Sequence, residues 1–341
     1  MQATGSQTPV SSVDGATGDV QARAPRVPVG LSRVGVTGVE KVVRIRDELY
    51  FARLDCFVDL SREQKGAHMS RFEEVINEAI GQVVLSESPF RAETLAQHIA
   101  ELVRARQRAE RAEVTIAARY PEHKPAPVSR VQTQEIYTLY GRAVAFEHGT
   151  RRIVGVSATG MTACPCAQEL MADRARASLA EDGFSADEIG RVLERVPMPT
   201  HNQRGLATLH IGCVEECVAE IDATTLLAIA EGSMSSEIYE LMKRSDEAEV
   251  VDKAHRRPRF VEDCVREMVA GVVDRFAELD GASFVRAHQE NLETIHQHNV
   301  VAERFGLLSE LRGEVASGLP ASHHTTLEEW LAAGARRHDH G

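Results

Sequence analysis

The chain has 341 residues, of which 43% are hydrophobic and 26% charged, and a formal net charge of −12. That size and balance describe a water-exposed folded chain of one large or two ordinary domains. The negative charge argues against a sequence-independent nucleic-acid binder, which needs surplus Lys and Arg, and no run reaches the roughly 18–20 apolar residues of a membrane span.

In chain order, residues 1–30 are rich in Ser, Thr, Gly and Ala. They read as a disordered tail without the basic start and apolar core of a signal peptide. A cytoplasmic location is therefore expected, and with it reduced thiols for the six cysteines. KVVRIR reads as a short strand. LYFARLDCFVDL has apolar residues at every even position from Tyr50 to Leu60, the period of a half-buried strand. The polar loop SREQKGAHMSRF leads to the helix RFEEVINEAIGQVVL, with Ser70 as its cap. Ser88 and Pro89 open a second helix, PFRAETLAQHIAELVRARQ. AEVTIAARY and VQTQEIYTLYGRAVAFE are two further strands, so residues 31–149 form a strand, strand, helix, helix, strand, strand block.

Residues 150–306 read similarly, which suggests an internal duplication. RRIVGVSATGM and GLATLHIGCV are strands, and DATTLLAIAEGSMSSEIYELMK is helical in one or two pieces. PRFVEDCVREMVAGVVDRFAEL is a helix with Val261, Val265, Met268, Val272 and Phe276 on one stripe, and ASFVRAHQENLETIH is a closing strand. A helical insert, 167–199, interrupts this block; Ser185 and Glu188 form a capping pattern inside it. Residues 307–341 add a helical run and a solvated tail containing His338 and His340.

Several residues bear chemistry. Cys164 and Cys166 flank Pro165 at a strand end. A disulfide across so short and rigid a segment is strained, which weakens that reading beside a redox pair, a metal ligand and two buried thiols. His201, in PMPTHNQRG, precedes a strand; thiolate and imidazole are both ligand types for Zn(II) or Fe(II), although their long spacing is no zinc-finger signature. Glu237 lies upstream of the charged run Lys243, Arg244, Asp246 and Glu247. Glu262 and Asp263 stand near a helix start, where the dipole favours acids. Glu293 and His296 pair an acid with an imidazole at a strand end. Lys65, His68 and Arg71 beside a helix N-terminus suit a phosphate, while no glycine-rich phosphate loop is present.

Six motifs occur in a telling order: KGAHMSRF, TGMTACPCAQ, MPTHNQRG, SMSSEIYELMKRSDE, RFVEDCVREM and ETIHQHN. Over residues 30–306 they resemble the type IB GTP cyclohydrolases. The insert, CPCAQ and FVEDCVR resemble the archaeal branch, which serves methanopterin synthesis, whereas HMSRF is similar to the bacterial branch. Ser245 stands where the family usually has proline.

The resemblance implies an α+β tunnelling fold, with two ββαα-type halves per chain forming an intersubunit β-barrel in a homotetramer. It implies hydrolysis of the guanine ring of GTP at C8, release of formate, and a 7,8-dihydroneopterin phosphate as product, either the 2′,3′-cyclic phosphate or the triphosphate. One divalent metal per site is implied, Fe(II) first, with Zn(II) or Mn(II) as alternatives. Carried over motif by motif, Cys164, His201 and Glu247 are implied metal ligands, with Glu237 the rival for the third place. Cys166 is implied as a supporting donor or alternate ligand. Glu262 is implied to anchor the guanine edge, and Cys164, Glu293 and His296 to be catalytic. Lys65, His68, Arg71, Arg204, Lys243 and Arg244 are implied for the triphosphate. Two other readings stand beside this one. The first is the same fold acting on a related purine or pterin. The second is a Cys-based metal or redox sensor, which leaves Glu262, Glu293 and His296 without a role.

Overall fold

The computed structural model of the protein describes residues 20–45, 48–84, 91–214 and 221–335. β1 (Leu31–Ile45) and β2 (Glu48–Leu60) precede α1 (Met69–Val84) and α2 (Ala92–Gln107), and β3 (Ala112–Pro125) and β4 (Gln132–Phe146) follow. Next come β5 (Gly149–Ala163), the insert helices α3 (Pro165–Glu181) and α4 (Ala186–Arg195), and β6 (Asn202–Cys213). After these are α5 (Ala223–Ser233), the two-residue β7 (Ser236–Glu237), α6 (Arg244–Arg256), α7 (Val261–Arg275), β8 (Phe284–Leu292) and β9 (Val300–Leu307). α8 (Leu308–Ser317) and α9 (Leu327–Ala335) end the described chain. The architecture is α+β: one antiparallel sheet ordered β1-β2-β3-β4-β5-β6-β8-β9, with β7 pairing β5. No helix among the described residues is long and apolar enough to cross a membrane.

The even-position alternation in β2 is what the fold uses. Tyr50, Ala52, Leu54, Cys56, Val58 and Leu60 are all buried, packed with Phe72, Val75 and Ile76 of α1 and Leu95, Ile99 and Val103 of α2. Register carries the same face along the sheet, through Cys56, Val114 and Ala143 and through Leu139, Val156, Leu209 and Ala287. There a second core forms with Leu226 of α5, Met268 and Val272 of α7 and Leu311 of α8. Each fully buried large side chain in these cores contributes about 1.5–3 kcal/mol relative to exposure.

The opposite face is polar over much of its area. Glu113 accepts from Arg142 at 2.9 Å and Arg33 at 3.3 Å, and Arg286 pairs with Glu303. α9 covers one part of it. Trp330 packs on Phe284 at 5.7 Å and donates to Ala282 O at 2.9 Å, while Arg151 donates to its carbonyl and lies over its ring. Gly212 makes room for that ring, since a Cβ there would sit 2.7 Å from it.

Several expectations change. β1 starts at Leu31, well before KVVRIR, and is interrupted by bulges, with Gly38 at φ +68°. Ser70 lies inside the first turn of α1 rather than capping it. The stretch expected to be helical through Lys243 is helical only over Ala223–Ser233; Ser236 and Glu237 then pair with Met161 and Gly160. The expected closing strand ends at Leu292, so Glu293 and His296 lie beyond it, and Val300–Leu307 is a further strand that the sequence reading did not include. The Ser185–Glu188 capping box is present. Ser88, Pro89, His338 and His340 lie outside the described residues.

β7 has a distinct place. β4 and β5 pair from Phe146–Gly149 as far as Thr138–Ser157, and beyond that point β7 lies against β5. The β3–β4 hairpin is tied instead to the segment after β7. Asp246 accepts from the backbones of Val128, Ser129 and Lys243 at 2.8 Å and from the Ser129 hydroxyl at 2.6 Å. Glu135 accepts from Glu240 N at 2.9 Å.

Candidate active site

β5, β6 and β8 end together. Thr162 pairs with Gln203, Ala163 with Asn202, and Arg204 with Leu292. At this corner Cys164 N donates to His201 O at 3.1 Å, and the Thr200 hydroxyl donates to Cys164 O at 2.7 Å. Pro165 opens α3 with Cys164 as its extended N-cap, φ −75° and ψ 120°. Proline suits a first helical position and forbids helical backbone in the residue before it. That dipeptide therefore ends the strand and starts the helix at Cys164.

His201 stands on the neighbouring tip. Its Nδ1 lies 3.1 Å from Gln203 Oε1 and 3.9 Å from Glu293 Oε2. Gln203 Nε2 donates to Thr162 Oγ1 at 3.0 Å. The Glu293 side chain is only 7% exposed, and its Oε2 is buried without a hydrogen-bond partner among the described residues. A buried carboxylate oxygen lacking a donor is costly. It marks a place open to an incoming donor.

Other residues reach the same end of the sheet. Arg259 N donates to Ala163 O at 2.9 Å, which brings the start of α7 to this corner, with Glu262 exposed in its first turn. Ala163 N donates to Ser235 Oγ at 3.1 Å. Glu237, beside Gly160, is ion-paired with Lys253. Burial works to raise its carboxyl, but the Lys253 hydrogen bond and charge, a backbone hydrogen bond and the Lys124 charge together outweigh this and hold it below the ordinary range. Glu247, in the first turn of α6, is exposed, as are Lys243, Arg244 and Arg204. Its neighbour Asp246 is buried, and its four hydrogen bonds outweigh desolvation and hold its carboxyl well below the usual range. Asp246 is a structural tie. His296 is exposed and stacked on His298 at 5.2 Å. Cys164 and Cys166 are free thiols, the first partly buried and the second exposed.

KGAHMSRF lies elsewhere. It follows β2, which ends where β5 begins, so the length of β5 separates it from Cys164. At about 3.3 Å per residue that is roughly 45 Å. Arg71 donates to Arg106 O at 3.1 Å, His68 is tied through its backbone to Gln107, and Lys65 is exposed. A single chain thus joins Cys164, His201 and Glu293 at one corner, places Glu237 and Glu262 on segments bonded to β5, and holds Lys65, His68 and Arg71 apart. Among the described residues no three His, Cys, Asp or Glu side chains converge as a complete metal site. The donor types at this corner, a thiol, an imidazole and a carboxylate oxygen without a hydrogen-bond partner among the described residues, nevertheless fit part of a Zn(II) or Fe(II) donor set.

Sequence reasoning named no role for Gln203, Thr162 or Ser235. A signal existed: on the helix-covered face Thr162 follows the apolar alternation Val154, Val156, Ala158 and Gly160 of β5, and Gln203 precedes Gly205, Ala207, Leu209 and Ile211 of β6.

Residues 18–302 match the family model described as Type I GTP cyclohydrolase folE2, and the chain belongs to that family. Curated relatives named GTP cyclohydrolase MptA are similar over most of their length. That of Methanococcoides burtonii is 39% identical over 310 residues, covering 87% of this chain and 96% of that protein. That of Methanococcus maripaludis strain C6 is 42% identical over 308 residues, covering 87% and 97%. That of Haloarcula marismortui is 42% identical over 304 residues, covering 87% and 97%. Among solved structures, the uricase of Arthrobacter globiformis aligns with TM-score 0.48 and 9% identity, over 88% of this chain and 98% of that one.

Proposed function

We propose that this GTP cyclohydrolase opens the guanine ring of GTP at C8 with one divalent metal per site, releases formate and forms a 7,8-dihydroneopterin phosphate. The observation that carries the reading is that the tips of three strands bond Cys164 to His201 through their backbones and bring the His201 imidazole beside Glu293, in a chain of this family.

Cys164 and His201 hold the metal in this reading, and Glu247 takes the third place. Glu247 is exposed without a side-chain partner among the described residues, whereas its rival Glu237 is engaged by Lys253. The sulfur, nitrogen and oxygen set suits Fe(II), with Zn(II) or Mn(II) as alternatives. When bound, the metal supplies a Lewis acid that makes water nucleophilic near neutral pH. Glu293 accepts and returns a proton beside His201, and His296, just past the same strand, relays it outward. Glu262 accepts the N1–H and 2-amino hydrogens of guanine with its two oxygens.

Arg204, Lys243 and Arg244 serve the triphosphate from this end of the sheet. Lys65, His68 and Arg71, at the far end, serve the site of a neighbouring copy. The proposal therefore includes a homo-oligomer, as a tetramer, in which β1 and β9 no longer present free sheet edges and the sheets close the barrel of a tunnelling fold.

The test is anaerobic incubation with GTP and Fe(II), Zn(II) or Mn(II). Formate and, after oxidation, a fluorescent pterin are expected, and mass spectrometry distinguishes the cyclic phosphate from the triphosphate. Absence of turnover with all three metals overturns the reading.

A further inference from the structure

An imidazole can carry its single proton on either nitrogen, and a metal-binding nitrogen must be the one without it. At His201 the neighbours of Nδ1 decide the matter. Gln203 Nε2 donates to Thr162 Oγ1 at 3.0 Å, which turns the amide oxygen, an acceptor only, toward His201 Nδ1 at 3.1 Å. Thr162 is 0% exposed and Gln203 5%, and the two are register partners across β5 and β6. The amide is therefore held within the sheet rather than on a mobile loop. The second group near Nδ1 is Glu293 Oε2, whose 3.9 Å separation exceeds a hydrogen bond. Nε2 has no hydrogen-bond partner among the described residues.

We propose that Gln203, anchored by Thr162, is the positioning residue that holds His201 as the Nδ1–H tautomer and leaves the Nε2 lone pair for the metal. The inference rests on His201 being a metal ligand. Ligating histidines generally donate their other N–H to a fixed acceptor, which sets ring orientation as well as tautomer. An amide performs this without adding a second buried negative charge beside Glu293. It also assigns a role to a motif residue that touches neither substrate nor metal.

The test uses the full chain in its metal-free form. Long-range 15N–1H NMR on protein labelled with 15N-histidine reads the His201 tautomer, with His201→Ala assigning the signal. Competition with a chromophoric chelator reads Zn(II) affinity. Wild type is expected to show Nδ1–H alone. Gln203→Met keeps length and removes the acceptor; the Nε2–H form is expected to appear and zinc affinity to fall about 10- to 100-fold. Gln203→Glu keeps an acceptor, at the cost of that second buried charge, and is expected to retain the wild-type tautomer. Thr162→Val frees the amide to turn, and a mixed tautomer with a smaller affinity loss is expected even if the methionine variant does not fold. An unchanged tautomer in these acceptor and anchor variants overturns the proposal. Full zinc affinity in His201→Ala overturns instead the reading of His201 as a ligand, and the tautomer measurement on the metal-free protein keeps the two failures distinct.

Discussion

At the end of the sheet where β2 starts, the helix-covered face stays apolar or aromatic: Tyr50, Ala52 and Ala118 are buried, and Tyr50 stacks on Tyr120 at 6.2 Å. At the same end of β5, β6 and β8 that face carries Thr162, Gln203, Asn291 and Glu293 instead. The strand order in the two regions is alike, and both carry helices on one side. There buried apolar positions are exchanged for polar ones that bond one another, with an acceptor left open. The cysteines repeat the contrast. Cys56, inside the first region, is buried, and desolvation, with Glu113 adding, pushes its thiol up to about 12. Cys164 stands at a strand tip and is partly exposed.

Four measurements press on this contrast. The largest effect is expected from Cys164→Ala and His201→Ala. Each should abolish stoichiometric metal retention and lower formate release by more than the roughly 10- to 100-fold typical of losing a supporting partner; metal analysis and a formate assay check this. Trp330→Ala tests the cover that only the second region possesses. Removing a buried indole that packs on Phe284 and Gly212 is expected to cost about 3–5 kcal/mol, read by urea denaturation.

The third concerns His210 on the open face, beside Tyr140 and facing Arg286, Arg142 and His288. Burial first, then these neighbours, push its imidazole down to about 4. Between that value and the ordinary value near 6.5 the unfolded chain takes a proton that the folded chain refuses. Stability should therefore fall as pH drops through this window, by on the order of 2 kcal/mol. Denaturation midpoints from pH 7 to 4 should fall less steeply in His210→Phe than in wild type. The smallest effect belongs to Cys56→Ala. It should cost about 1 kcal/mol for one buried atom and leave formate release unchanged; a loss of turnover there would blur the contrast between the regions.

Sequence patterning disclosed the elements wherever one face is buried and the other is not. β2 was legible because every even residue enters the core, and the Ser185–Glu188 cap was legible because its bonds are local. β9 was not, because it is an edge strand: Val301 is exposed while Arg304 is partly buried against Glu314, so alternation fails. β1 was shortened in the reading because its bulges shift the period. The segment after Ser233 has apolar residues enough for a helix, and its extended form comes from pairing with β5 and from a distant acceptor at Glu135. At the site, motif order singled out Cys164, His201 and Glu293, which the fold brings to one corner. It carried no information about which motifs share an end of the sheet, and it gave no role to Gln203, whose amide bonds Thr162 at one end and faces His201 at the other.

The Cys164 N to His201 O bond closes the base of the insert. The chain leaves β5 and returns to β6 beside this bond and the bond from the Thr200 hydroxyl to Cys164 O, and α3, the first of the two insert helices, buries none of its residues. Such a closed excursion behaves as a splice port. Doubling the length of a flexible loop costs only about 0.6 kcal/mol in closure entropy, and a change there leaves the register of the two strand tips untouched. The turn between the two insert helices, residues 182–185, can thus be lengthened or trimmed while the backbone pairing of Cys164 with His201 persists.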